Sequence, residues 1–187
     1  MKLIETPITG AYILDIDRLG DDRGFFARVF CRHEFKDLGL TREIVQINNS
    51  FNSQTGTLRG LHYQLPPHEE TKIIRCVRGA LFDLILDLRP RADTYGQSFG
   101  CELSAENRRM MYVPKGVAHG FITVVDDTEV MYFMDEFYAP QFERGVRWND
   151  PQFNLTWPMA PLVISDKDAE RPDFDLSRHK KLADMDR

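Results

Sequence analysis

The sequence predicts an all-β fold, a sandwich or barrel of many short strands with a few short helices. Three observations carry that prediction. Apolar and polar side chains alternate with period two in Val45-Gln46-Ile47-Asn48-Asn49-Ser50-Phe51 and in Phe82-Asp83-Leu84-Ile85-Leu86-Asp87-Leu88. Turn chemistry separates such runs, at Arg78-Gly79, Arg89-Pro90, Pro114-Lys115-Gly116 and Asp126-Asp127. Only one segment, His33 to Leu38 with Gly39 behind it, reads as a helix.

In chain order, that helix precedes the strand over 45–51. Arg59 to Gln64 is strand-like, and further β-rich segments run from Lys72 to Val77, Met110 to Val113, Gly120 to Val125 and Glu129 to Tyr132. In the 82–88 run Phe82, Leu84, Leu86 and Leu88 form a fully apolar face, which must pack somewhere dry. Asp83, Ile85 and Asp87 form the other face, which fits either a barrel interior with a polar cavity or an edge strand facing water. No repeat, low-complexity tract or linker interrupts the chain. Residues 1–174 read as a single domain and 175–187 as a polar tail. Within that tail Ser177-Arg178-His179-Lys180-Lys181 has little to bury, so it reads as mobile or loosely helical and without chemistry.

Bulk composition excludes several classes. The chain has 187 residues, 42% hydrophobic and 28% charged, which suits one soluble domain with a sizeable core. A net charge of −5 leaves no broad basic surface for nucleic acid, although a local basic pocket for one small anion remains compatible. No apolar run approaches the roughly 18–20 residues that span a bilayer, and the N-terminus lacks a signal-peptide core. Cys31, Cys76 and Cys101 are widely spaced and odd in number, so neither a disulfide framework nor a zinc knuckle is indicated. The expected location is the cytoplasm.

The richest stretch chemically is Arg59-Gly60-Leu61-His62-Tyr63-Gln64, with Lys72 beyond it. Guanidinium grips phosphate oxygens bidentately. Imidazole moves protons near neutral pH, and an ammonium stabilises negative charge developing on oxygen. Together these groups point to a proton-transfer enzyme with a phosphorylated substrate. A histidine base needs a partner to fix its tautomer, and Asp83, Asp87, Asp166 and Asp168 are all candidates by spacing. Tyr132 and Tyr138 are candidate acids.

Two segments resemble the halves of a cupin-type jelly-roll β-barrel. The second is Pro114-Lys115-Gly116-Val117-Ala118-His119-Gly120-Phe121, a turn that delivers a histidine into a strand. Metal-binding cupins carry His-x-His in the first half, where this chain has His62-x-Gln64. An amide is a poor ligand for a transition metal, and His119 with His62 falls short of a three-ligand site, so a metal-free barrel is expected. His68, in a Pro-rich turn beside Glu69 and Glu70, reads as solvated.

The ordered motifs carry a more specific likeness. They are Asp22-Arg23-Gly24-Phe25-Phe26, Gln46-Ile47-Asn48-Asn49-Ser50, Leu58 to Gln64, Lys72, Pro114 to Phe121, Tyr132 and Phe137-Tyr138-Ala139-Pro140. Trp148-Asn149-Asp150-Pro151, Trp157-Pro158 and Ser165-Asp166-Lys167-Asp168 complete the set. From about Thr6 to Phe174 the chain resembles the dTDP-4-dehydrorhamnose 3,5-epimerases. The resemblance implies a jelly-roll homodimer that acts on a dTDP-4-keto-6-deoxyhexose without metal or other cofactor. It implies His62 as the base beside the C4 ketone, Asp168 as its orienting carboxylate, Lys72 at the enolate oxygen and Tyr132 as the acid on the opposite face. By the same resemblance Arg59 and Arg23 hold the diphosphate. Gln46 and Asn48 line the nucleotide and sugar cleft, while His119, Tyr138, Phe26 and Lys167 belong to the substrate site. Asp83, on a neighbouring strand, is expected to hold Lys72 protonated.

Four departures concern specificity. Arg28 reverses the charge of a glutamate usual after the Arg-Gly-Phe-Phe run, Phe133 and Met134 follow Tyr132 where the family often has a polar residue, and Phe137 replaces a tyrosine. The alternatives are therefore a C3-only epimerase, an epimerase of another nucleotide-linked 4-ketohexose, and a non-catalytic sugar-binding cupin. One geometric expectation follows from spacing. Arg59 and His62 are three apart and would face opposite ways on an ideal strand, so a shared cavity requires a bulge, for which Gly60 is the natural place.

Overall fold

The computed structural model describes residues 1–41 and 43–177. The tail read as mobile lies outside the described residues from Arg178 onward. Strands in chain order are β1 (Lys2–Glu5), β2 (Tyr12–Asp15), β3 (Arg18–Asp21), β4 (Gly24–Ala27), β5 (Gln46–Asn52), β6 (Thr57–Gln64) and β7 (Lys72–Arg78). They continue with β8 (Ala80–Asp87), β9 (Ser98–Ser104), β10 (Met110–Val113), β11 (Val117–Thr123), β12 (Thr128–Met134), β13 (Glu143–Gly145) and β14 (Val163–Ile164). Helix α1 spans Arg32–Asp37 and α2 spans Asp166–Ala169.

The strands form two facing sheets. The first has the order β1-β2-β10-β7-β12-β5, the second β13-β6-β11-β8-β9, with β14 pairing β6 in parallel. A separate hairpin joins β3 and β4. Period-two alternation makes each sheet send one set of side chains inward. Ile74, Cys76 and Val130 of the first sheet meet Leu81, Ile85 and Phe121 of the second in a single buried cluster between them. The architecture is a jelly-roll barrel with a dry floor.

The outer faces are covered by what lies between strands. On the first sheet Ile73, Met110 and Tyr112 pack with Phe35 of α1 and with Leu40. On the second, Leu84, Leu86, Leu88 and Tyr63 pack under Val146, Phe153 and Trp157. The apolar face of β8 thus packs dry, as its alternation required. Its other face belongs to the barrel interior, with Asp83 and Asp87 both buried, and the edge-strand alternative does not hold. The helix at α1 ends as expected, with Gly39 at φ +71° behind its C-cap.

Strand β9 had no clear signature in the sequence. Its Gly100 interrupts the β-prone run because the Phe82 ring lies over that position, where an added Cβ would stand 2.4 Å from it. Gly60 does what the spacing demanded. Its φ is +120°, and β6 carries one extra residue against β11, where His119 pairs His62 but Phe121 pairs Arg59. That bulge turns Arg59 and His62 toward the same cavity. A Cβ at Gly60 would lie 2.5 Å from the Gly120 Cα, so both strands need glycine at this crossing.

Candidate active site

At the mouth of the barrel a cavity of about 550 Å³ opens between the two sheets. Gln46, Asn48, Ser50, Lys72 and Tyr132 enter it from the first sheet, Arg59, His62 and His119 from the second, and Lys167 and Asp168 from α2. Tyr138 lines its rim.

Asp168 reaches His62 because α2 is capped and docked on β6. The Ser165 side chain accepts from the Asp168 backbone N–H, and β14, just before it, runs beside β6. The His62 Nε2 lies 2.7 Å from Asp168 Oδ1, and the Gly60 N–H donates to Oδ2. Burial alone would raise the Asp168 carboxyl. The His62 hydrogen bond and charge, the Gly60 N–H and Arg171 outweigh it and hold the carboxyl at about 2. An ionised carboxylate only accepts, so neutral His62 carries its proton on Nε2 and its lone pair on Nδ1. The ring is therefore oriented as a base.

Across the cavity, the Tyr132 hydroxyl shares a 3.2 Å hydrogen bond with Ser50. Burial pushes this phenol up to about 12, against the smaller lowering by Ser50 and Arg59. It therefore keeps its proton at neutral pH and is available as an acid. Lys72 stands at the entrance of β7, its Nζ 2.8 Å from Glu70 Oε1 and donating to the His62 carbonyl at 3.0 Å. The expectation that Asp83 serves Lys72 is overturned. β7 and β8 lie in different sheets, and Asp83 Oδ1 instead meets His119 Nε2 at 2.7 Å in the barrel interior. Glu70 is the partner of Lys72 and is buried, not part of a solvated turn. His68 is half-buried as well, with its ring 4.6 Å from that of Phe142.

At the rim, Arg59 donates from Nε to Asn52 at 2.7 Å. The Tyr138 hydroxyl donates to Glu143 at 2.5 Å, which raises its pKa, and Lys167 donates to the same carboxylate at 2.8 Å. Burial would raise Glu143, but the Lys167 and Tyr138 bonds hold it at about 2. Arg171 bridges Glu143 and Asp168, at 3.2 and 3.4 Å. Glu143 and Arg171 escape sequence reading, since they meet only through the chain's return over β6. Ser50 carried a signal, as it has the strand parity of Asn48 on β5, whereas Glu70 precedes β7 and carried none.

Two assigned residues stand apart. Arg23 is almost fully exposed at the tip of the β3–β4 hairpin, paired with Asp21, and Phe26 is 65% exposed on β4. Of the departures in sequence, Met134 lines the cavity and the other three lie outside it. Arg28 pairs with Glu34 of α1, Phe133 packs with the cluster outside the first sheet, and Phe137 is exposed. Gln64 is structural. Its amide donates to the His68 and Phe137 carbonyls, and its oxygen accepts from the Ala139 N–H. Among the described residues no three His, Cys, Asp or Glu side chains gather as a metal site.

Barrel and cavity together define an enzyme of acid–base chemistry, with an oriented imidazole on one sheet and a protonated phenol on the other. The family model for dTDP-4-dehydrorhamnose 3,5-epimerase matches residues 5–175. The chain is 41% identical over 175 residues to the dTDP-4-dehydrorhamnose 3,5-epimerase of Shigella flexneri, covering 93% of this chain and 96% of the relative. A crystal structure of the enzyme of that name from Bacillus anthracis, with TDP and PPi bound, aligns with TM-score 0.89 and 44% identity over 92% of this chain and 99% of the other. The epimerase from Legionella pneumophila, in complex with dTDP-4-keto-L-rhamnose, aligns with TM-score 0.84 and 37% identity, over 90% and 89%. The chain belongs to the dTDP-4-dehydrorhamnose 3,5-epimerase family and is an isomerase.

Proposed function

We propose that this protein inverts C3 and C5 of dTDP-4-dehydro-6-deoxy-D-glucose to give dTDP-4-dehydro-L-rhamnose, in the supply of dTDP-rhamnose and without a cofactor. The observation that carries this reading is the opposition of His62 and Tyr132, on facing sheets of one cavity. A carbon beside a ketone inverts when a base takes its proton from one face and an acid returns one from the other. His62 Nδ1 takes the proton, the C–H electron pair forms a double bond to C4, and the C4 carbonyl pair moves onto its oxygen, an enolate oxygen beside the Lys72 ammonium. As the carbonyl re-forms, the Tyr132 hydroxyl protonates the opposite face. Asp168 stabilises the imidazolium formed. Base and acid each contribute about 10²–10⁴-fold.

Arg59 at the rim suits the diphosphate, while Gln46, Asn48, Lys167 and Tyr138 suit the nucleotide and sugar. His119 supports the cavity from within. The reading includes a homodimer. The outer face of β5 exposes Ile47 and Phe51, apolar side chains suited to contact with a second copy. The exposed β3–β4 hairpin, with Leu19, Phe25 and Phe26 uncovered, suits insertion into the partner's cleft, where Arg23 and Phe26 would meet the nucleotide. Three free cysteines and a nucleotide-sugar substrate fit a cytoplasmic setting.

NMR of the purified protein with the ketosugar nucleotide in D2O tests the reaction. Deuterium entering both C3 and C5 is the expected result. Entry at C3 alone makes the protein a single-centre epimerase, and no entry at either carbon overturns the reading.

A further inference from the structure

Glu70 has an unfinished contact. It is 7% exposed, lines the cavity, and holds Lys72 through Oε1. Its second oxygen, Oε2, is buried without a hydrogen-bond partner among the described residues. A buried carboxylate oxygen is rarely left without a donor in a finished site, so a donor arriving with the substrate is the natural completion. The anionic diphosphate cannot supply it. A hydroxyl can.

We propose that Glu70 is a specificity-determining residue that accepts a hydrogen bond from the substrate's C3 hydroxyl through Oε2. This rests on the reaction proposed above, which sets Lys72 against the C4 oxygen. The oxygens on C3 and C4 are neighbours, and Lys72 and Glu70 are likewise held side by side by the 2.8 Å contact of Nζ with Oε1, which leaves Oε2 as the unused acceptor. The buried ion pair therefore presents a donor to the ketone and an acceptor to the adjacent hydroxyl, in matching order. A hydroxyl on C2 lies one carbon further from Lys72 and does not meet both ends of the pair. The pair selects 3-hydroxy-4-ketosugars and leaves a 3-deoxy analogue facing an unsatisfied carboxylate.

The test follows deuterium entry at C5, a position both substrates share, for wild type and Glu70→Gln, using the nucleotide 4-ketosugar and its 3-deoxy analogue. Wild-type exchange on the hydroxylated substrate is read first. Silence there overturns the proposed reaction and this contact with it. Wild type is expected to lose roughly 10–100-fold in kcat/KM on the 3-deoxy analogue, as for a hydrogen bond to a charged group. Glu70→Gln should lose a similar factor on the hydroxylated substrate, chiefly through KM, and little more on the analogue. Equal losses on both substrates would mean that Glu70 only holds Lys72, which overturns the contact while sparing the reaction. Equal wild-type rates on the two substrates overturn it without reference to any variant, whether or not Glu70→Gln folds.

Discussion

Two histidine–carboxylate pairs lie side by side in this barrel, and they differ instructively. His62 and His119 are register partners across β6 and β11, and each has its Nε2 2.7 Å from an aspartate oxygen. The His62 side chain is 35% exposed, and its carboxylate is further fed by Gly60 and Arg171. His119 is 5% exposed, Asp83 is fully buried, and Asp83 Oδ2 has no partner among the described residues. The contact is the same. Both imidazoles line the cavity, so what separates them is the degree of exposure and the number of donors supporting the carboxylate, and both differences suit His62 to proton transfer.

The largest expected effect strikes the exposed pair. His62→Ala should abolish deuterium entry at every carbon, a loss of roughly 10²–10⁴-fold or more, while the fold persists by circular dichroism. Asp168→Asn should follow, lowering turnover by roughly 10²-fold or more by releasing the tautomer that leaves Nδ1 as base. Tyr132→Phe should leave exchange detectable and slow the appearance of inverted product. Wild-type epimerisation in that variant would remove Tyr132 as the acid.

His119→Ala is the contrasting case. It strands the Asp83 carboxylate inside the barrel, so a loss of about 3 kcal/mol in urea unfolding is expected, with exchange reduced far less than in His62→Ala. Should His119→Ala silence exchange at unchanged stability, the distinction between the pairs collapses. The smallest effect is in acid. Asp168 titrates at about 2 when folded against 3.8 ordinarily, so between those values the unfolded chain binds more protons. Its stabilisation is complete above about pH 4 and drains away toward pH 2. Melting temperatures from pH 5 to 2 should fall more gently in Asp168→Asn than in wild type.

The contrast also explains what was legible in the sequence. Strands with clean alternation, such as 82–88, announced both their faces, and Gly60 announced its bulge through the wrong parity of Arg59 and His62. The imidazole, ammonium and phenol stood out because those groups have few other uses inside a cavity. Their partners did not stand out. Asp168 comes from 106 residues away and was one of four candidates until the family likeness chose it. Asp83 was assigned to the wrong cation, because adjacency in sequence hides which sheet a strand joins. Glu143 and Arg171 meet through a chain return that no local pattern encodes.

Gln64 has a bearing on redesign. It occupies the position where a metal-binding relative of this barrel would offer an imidazole, yet its amide splints the rim, tying His68, Phe137 and Ala139 together. Replacing it with histidine to recruit iron or manganese would unfasten the segment that carries Tyr138. The amide is a strut of the rim, and a retrofit of this scaffold would have to rebuild the doorway before it could fit a metal centre.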